Sequence, residues 1–333
     1  MDILNTYACY NINEKVRKNS SSGGVFSSLA DYVIEKKGIV YGVAISKDCY
    51  SAEYIGVTCK EEIKKLRGSK YLQAKIGETF RCIKTELTNG RIVLFSGTGC
   101  QINGLKCFLG EDYDNLICVD VICHGVPSPA LWEKYVKYQE QKYNGKLIDI
   151  NFRCKDKGWQ DFGIKQILKN FLKNTIKKKY LPKDIDSYMQ MFLRNYCLRP
   201  SCYECVAKTI KNADITLADF WGIDDIVPKM NDGNGISLVL IRTEKGKKVF
   251  QDISNKMKFE EVSYEEGIHK NRAEYCSAKK PRERDTFFEN MNNMSFEQLE
   301  KEYGLPVKIP FNIKIKMKIA KFIRNMFRMG GVM

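Results

Sequence analysis

The chain has 333 residues, 44% hydrophobic and 29% charged, a balance that reads as globular and can bury a substantial core in one large domain or two smaller ones. Its formal charge of +15 is uneven, gathered at Lys165, Lys169, Lys173, Lys177, Lys178 and Lys179 and again over residues 314–328; acidic partners fit it, although a charge run is as a rule a solvated face. The apolar runs 116–123 and 236–241 are strand-sized and fall short of the roughly 20 residues of a membrane span, and residues 1–15 carry neither a basic leader nor a long apolar core, so the expected location is the cytoplasm.

From Ser20 the sequence reads as a phosphate-sized turn and then a helix, with Val25, Phe26, Leu29, Val33 and Ile34 at helical spacing and Gly38 ending it. Residues 39–45 predict a strand, 78–87 a helix stopped by Asn89-Gly90, and 92–95 a short buried strand. The rhythm repeats as a loop over 96–100, a helix to Leu109, a strand over 116–122, a loop over 123–127 and a helix from about Pro129. This alternation predicts an α/β fold, a sheet with flanking helices. The lysine-rich stretch 159–184 fits a hairpin or a helix equally poorly, and 188–197 reads as a helix. Beyond Ser263 the chain is more charged and less strand-like, which divides it into residues 1–95, 96–262 and 263–333.

Thirteen cysteines without an export signal point to metal binding rather than disulfides. Cys100 and Cys123 each follow a predicted strand, and one helix of crossover length joins the two strands, so both loops should lie on one sheet edge, where open α/β sheets bind ligands. Cys100 also opens a helix, whose free amides and dipole favour a thiolate. Cys202 and Cys205 form a close pair able to reach one metal from one turn. Four thiolates suit a tetrahedral zinc or a cubane 4Fe-4S cluster, and spacing alone leaves both open. A third arrangement, C-x4-C-x2-C through Cys197, has the spacing of a 2Fe-2S site, although Cys197 also reads as a core residue. Cys49, Cys59, Cys82, Cys107, Cys118, Cys154 and Cys276 are expected to be ordinary buried apolar residues, and Trp132, Trp159 and Trp221 packing residues.

Ser20, Ser21, Ser22, Gly23 and Gly24 before a helix offer hydroxyls and close-approach amides suited to the phosphate of a flavin or nucleotide, though they match neither a P-loop nor a dinucleotide fingerprint. The stretch 67–71 can add a cation and an aromatic face. His124, next to Cys123, can relay protons or hydrogen-bond a cluster sulfur. In the tail, Lys314, Lys318, Lys321 and Arg328 share one helical face and Ile315, Ile319, Phe322, Ile323 and Met326 the other, a pattern that allows peripheral membrane contact or docking on protein.

Taken in order, NSSSGG, RGSKY, FSGTGCQI, CHGVPS, LRPSCYEC and ADFWGI resemble the signature blocks of the coenzyme F-420 hydrogenase/dehydrogenase beta-subunit family, with likeness also to 7-hydroxymethyl chlorophyll a reductase-like proteins. The resemblance spans residues 7–263. It implies a mixed sheet with flanking helices that holds FAD or FMN beside a 4Fe-4S cluster. Hydride is exchanged at the flavin with a deazaflavin or another small molecule, and single electrons pass to the cluster. It further implies Cys100, Cys123, Cys202 and Cys205 as cluster ligands, and Ser20, Ser21, Ser22, Gly23, Gly24 and Lys70 as flavin contacts. Two departures stand out. Relatives often begin with a ferredoxin-like C-x2-C-x2-C region that Cys9 alone cannot replace, so a separate ferredoxin-like redox partner is expected. Gly99 stands where relatives commonly have proline, which predicts a looser loop before Cys100. The competing class is a zinc-stabilised nucleic-acid-binding or interaction protein, motivated by the basic balance and the Cys202/Cys205 pair, but the chain has no recognisable nucleic-acid motif.

Overall fold

The computed structural model describes residues 3–173 and 175–304. Among them run β1 (Asn5–Asn11), β2 (Ile39–Ile45), β3 (Ala52–Val57), β4 (Ala74–Lys75), β5 (Val93–Thr98), β6 (Leu116–Val121), β7 (Gly145–Cys154), β8 (Gly163–Asn170), β9 (Ile176–Pro182), β10 (Ile215–Asp219), β11 (Ser237–Ile241) and β12 (Met257–Glu261). Nine of them form one sheet in the order β12-β1-β11-β10-β6-β5-β2-β3-β4, and β7-β8-β9 form a second, antiparallel one. At the centre of the large sheet β2, β5, β6 and β10 are parallel neighbours, while β3 pairs antiparallel with β2, and β11, β1 and β12 continue antiparallel from β10. The sheet is therefore mixed. It is continuous across residue 95, because β1 lies between β11 and β12.

The central strands are apolar on both faces because helices cover both, as parallel strands require. Successive side chains alternate in direction, so Leu94 faces a core with Leu29, Val33, Val249 and Phe250 of the helices Val25–Glu35 and Glu244–Ile253. Its neighbours Val93 and Phe95 face the larger core, shared by the helices Thr79–Thr88, Gly99–Leu109 and Pro129–Tyr143 and the small sheet. Trp132 and Trp159 are fully buried packing residues, as expected.

The strand over 39–45 forms as read, and the strand from Val93 runs on to Thr98, directly capping the helix Gly99–Leu109. No loop intervenes. Gly99 is the first helical residue, where a Cβ would meet Ala207 Cβ and Asp120 Oδ2 at 3.1 Å, so its surroundings are tight and the looser loop is not found. The stretch 159–184 is a hairpin, since Lys165, Ile167 and Lys169 face away from the buried Ile164, Gln166 and Leu168 with strand periodicity. The expected helix over 188–197 is the shorter Ser187–Leu193, ended by Asn195 in the left-handed region at φ 67. The described part of the charged extension is docked: Phe287, Met291, Phe296 and Leu299 join the larger core. No helix among the described residues is long and apolar enough to cross a membrane. The amphipathic pattern over 313–333 lies outside the described residues.

Candidate functional site

Cys100, Cys123, Cys202 and Cys205 line one pocket, together with Thr98, Asp120, His124, Lys208 and Lys211. The first two arrive there because β5 and β6 pair directly in parallel, Thr98 opposite Val121, so that each cysteine lies two residues past its strand. Cys100 is the second residue of its helix, in the field of the helix N-terminus, and its Sγ lies 3.1 Å from Thr98 Oγ1. Gln101 fixes this turn by accepting from Thr98 N at 2.9 Å and from Tyr54 Oη at 2.8 Å. The second pair is drawn in by backbone bonds between two loops. Ser128 N donates to Cys197 O at 2.9 Å and Arg199 N to Val126 O at 3.0 Å, which carries the 3-10 turn Pro200–Cys202 over the loop that follows β6.

Burial pushes the Cys123 thiol up to about 12; Lys208 opposes the shift, and Cys100 and Cys202 add to it. Burial likewise raises Cys202, against an amide bond from Val126 N at 3.4 Å, while Cys100 and Cys205 act on it as like charges. Cys202 thus lies within electrostatic reach of Cys100, Cys123 and Cys205. No three His, Cys, Asp or Glu side chains among the described residues are gathered as a site for a single metal ion. Lys208 ties the pocket wall together, Nζ donating to Cys123 O at 2.7 Å and to Ala273 O. Asp120, raised to about 6 by burial, accepts from Thr216 Oγ1 at 2.5 Å. His124 holds Asn195 Oδ1 at 2.6 Å, and its pKa is lowered by burial.

A second polar cluster lies along the same sheet edge. The turn 20–24 sits on the ends of β1 and β11: Asn11 N donates to Gly23 O at 2.8 Å, Gly23 N to Ser237 Oγ at 3.0 Å and Ser22 Oγ to Ile236 O at 2.6 Å. A Cβ on Gly23 would come within 2.3 Å of Cys9 O, so the close approach demands glycine. Gly24, at φ 89, caps the helix Val25–Glu35 without any side-chain bond to its first amides. Ser20 turns inward to Val16 O, whereas Ser21 Oγ faces the stretch 67–71 and accepts from Ser69 N at 2.8 Å. Lys70 Nζ donates to the carbonyls of Lys65, Leu66 and Arg67; burial lowers its pKa to about 7, and these three acceptors favour retention of the proton.

Arg153 anchors this cluster. Its guanidinium grips Asp219 at 2.6 and 2.8 Å and also reaches Tyr71 Oη at 3.2 Å and Ser21 O at 3.4 Å, while its buried Nε has no partner. Trp159 Nε1 donates to Asp219 at 2.9 Å and its ring stacks on Trp221, with centroids 5.1 Å apart. Lys155 Nζ donates to Arg17 O, Ser22 O and Asn234 O, and burial lowers its pKa to about 7. Three rings connect the clusters: Tyr71 lies 5.0 Å from Phe192, and Phe192 5.1 Å from His124 in the cysteine pocket.

Cys197 is fully buried and lines no part of the pocket, as its core reading requires. Cys49, Cys118 and Cys154 are buried as expected, but Cys82 and Cys107 are exposed, because each lies on the outward side of an amphipathic helix whose Ile83, Leu87, Ile102 and Leu105 face the core. Cys59 and Cys276 are half-buried. Arg153, Lys155 and Lys208 were invisible as site residues in the sequence. The one local signal was Asp219, an acid closing the strand Ile215–Asp219.

No curated protein matches the chain in a sequence search. Among solved structures it is similar to a chain in the xenon-derivatised F420-reducing NiFe hydrogenase complex from Methanosarcina barkeri, with 16% identity, 90% of this chain and 91% of that chain covered, and a TM-score of 0.49. Two family models match, both describing the beta subunit of coenzyme F420 hydrogenase/dehydrogenase: the model of its N-terminal part over residues 6–80 and the model of its C terminus over residues 90–267. Those matches take in both clusters and more than half of the chain: it belongs to the coenzyme F420 hydrogenase/dehydrogenase beta-subunit family of oxidoreductases.

Proposed function

We propose that the protein is a flavin- and 4Fe-4S-dependent oxidoreductase, passing electrons between a deazaflavin or other two-electron small molecule and a one-electron, ferredoxin-like redox partner. The observation that carries this reading is the convergence of Cys100, Cys123, Cys202 and Cys205 on one pocket at the carboxyl edge of parallel strands. The pocket's His124 and Asp120 are engaged by Asn195 and Thr216, which leaves the four thiols as its donor set, and four thiols fit a cubane cluster by donor chemistry. When bound, the flavin supplies two-electron exchange and the cluster one-electron transfer.

The chain's own residues then have definite tasks. The helix N-terminus at Cys100 and the Val126 amide on Cys202 stabilise thiolate sulfur, and Lys208 and Lys211 place positive charge along the pocket. The uncapped amides of the helix Val25–Glu35, with Arg67 donating to Ser27 Oγ at 2.8 Å nearby, suit the flavin phosphate. Gly23 and Gly24 let backbone come close, while Ser20, Ser21, Ser22 and Lys70 hold the turn and its neighbour in shape. In this reading the enzyme works in the cytoplasm. Anaerobic purification followed by iron and sulfide counting, flavin identification and electron paramagnetic resonance tests it. About four irons and one flavin per chain are expected. A colourless, iron-free protein, or one holding a single zinc, overturns it and returns the four cysteines to a structural role.

A further inference from the structure

We propose that the outer face and apex of the small sheet form an interfacial element that seats this protein on an anionic lipid bilayer. One face of β7-β8-β9 is spent on the core: Leu147, Ile164, Gln166 and Leu168 are buried beneath the helix Pro129–Tyr143. The opposite face is bare. Cross-strand neighbours share a face, and its rows are Lys146–Lys169–Ile176, Asp149–Ile167–Lys178 and Asn151–Lys165–Tyr180. Four lysines therefore stand against Asp149, with Lys165 also held by Asp156 at 2.9 Å.

At the apex three large apolar side chains are exposed together, one of them more than any other large apolar side chain among the described residues. Leu172 is 84% exposed, Ile176 61% and Phe171 58%. Asn170 holds the residues that follow β8: its Oδ1 accepts from Leu172 N at 2.9 Å and from Lys173 N at 2.8 Å, and its Nδ2 donates to Asn144 O at 2.9 Å. Lys177 and Lys179 flank the strand on the other side, 5.0 and 4.3 Å from the Tyr143 ring. The apex thus carries adjacent bulky apolar groups ahead of a collar of lysines.

Charge selects the occupant. A second copy paired through this same face would oppose lysines to lysines, and residues 305–333 contain lysine and arginine but no aspartate or glutamate, so neither complements this face. What remains is acidic. A protein partner would need a socket for a convex apex, whereas a bilayer admits Phe171 and Leu172 by deformation and offers anionic headgroups to the lysines behind. The apex lies at the far end of β8 from Gly163, about 24 Å along the strand, so seating there leaves the Arg153 end of the small sheet free.

The test uses the full chain in co-sedimentation with phosphatidylcholine vesicles, with and without about one-third phosphatidylglycerol. Binding to anionic but not neutral vesicles is expected, weakening with salt. Lys169→Gln should weaken it about fivefold and Leu172→Glu about tenfold or more. Leu172→Trp should give a blue-shifted emission only with anionic vesicles. All three variants change exposed side chains, so the unfolding midpoint should not move. Indifference of the wild type to anionic vesicles, or undiminished binding by Leu172→Glu, overturns the proposal. So does apex-dependent binding to a soluble acidic ferredoxin and not to vesicles.

Discussion

Replacing Asp219 by Asn should unfold this protein far more readily than an exposed charge swap would. The side chains of Arg153 and Asp219 are only 4% and 13% exposed, so solvent screens their pairing little. Burial alone would lower the pKa of Arg153; the Asp219 carboxylate outweighs that and raises it, so the guanidinium and its carboxylate are held as a buried ion pair. Asn fills the same volume and can keep the bond from Trp159 Nε1, but it removes the counter-charge. Breaking one partner of a buried pair costs about 3–5 kcal/mol, a large share of the roughly 5–15 kcal/mol that holds a domain folded. The loss falls between sheets, since Arg153 lies in β7 and Asp219 ends β10. Urea unfolding followed by tryptophan emission reads it, because Trp159 and Trp221 stack beside the pair. Arg153→Met combined with Asp219→Asn should recover much of the loss, as methionine needs no counter-charge and asparagine keeps the Trp159 bond. A cost under about 1 kcal/mol for Asp219→Asn, or a double variant as unstable as the sum of the singles, would refute the reasoning.

Alanine at Cys100, Cys123, Cys202 or Cys205 should each reduce bound iron, whereas Cys118→Ala and Cys197→Ala should keep the iron and lose about 1–2 kcal/mol of stability through a small cavity, measured by metal analysis beside denaturation. Equal iron in both groups would separate the cysteines from the cluster. A pH effect is expected at Asp186, which caps the helix Ser187–Leu193 and accepts from Tyr135 Oη at 2.5 Å. Burial raises its pKa from 3.8 to about 6, against the Tyr135 bond. Because the folded value is the higher one, its contribution is fully present below pH 3.8 and lost as pH rises through about 6, at most about 3 kcal/mol in all. Asp186→Asn keeps the cap and should flatten that slope; an unchanged stability gap between wild type and variant at about pH 4 and pH 7 would count against it.

What the sequence disclosed followed the range of each signal. β2, β5 and β6 were legible because strands buried on both faces are continuous apolar runs bounded by glycine or asparagine. β1 and β7 were not: NTYACYN and GKLIDINFRC interleave polar residues, and the bulge at Ile148 breaks the alternation of β7. The convergence of Cys100 with Cys123 could be argued from strand pairing, which is local once a crossover is recognised. The arrival of Cys202 depends on bonds between 126–128 and 197–199, and the Arg153 grip on Asp219 spans 66 residues. Neither leaves any periodicity behind. The serine turn was legible as a turn, but that Ser20 and Ser22 face inward while Ser21 faces Ser69 depends on where β11 lies.

The two clusters are related by the order of the strands. Along the edge of the large sheet, β5 leads to Cys100, β6 to Cys123, β10 ends in Asp219, and β11 begins at Ser237 under Gly23. Neighbouring strands are about 4.8 Å apart, so the strands leading to Cys100 and Cys123 stand three and two spacings, roughly 14 and 10 Å, from β11. Sulfur at one end of that row and the helix N-terminus at the other therefore share one edge of one sheet. Parallel β5, β6 and β10 deliver their ends to one side, and the antiparallel step to β11 turns the chain back there. Reversing β10 would carry Asp219 to the opposite edge and leave Arg153 without its partner.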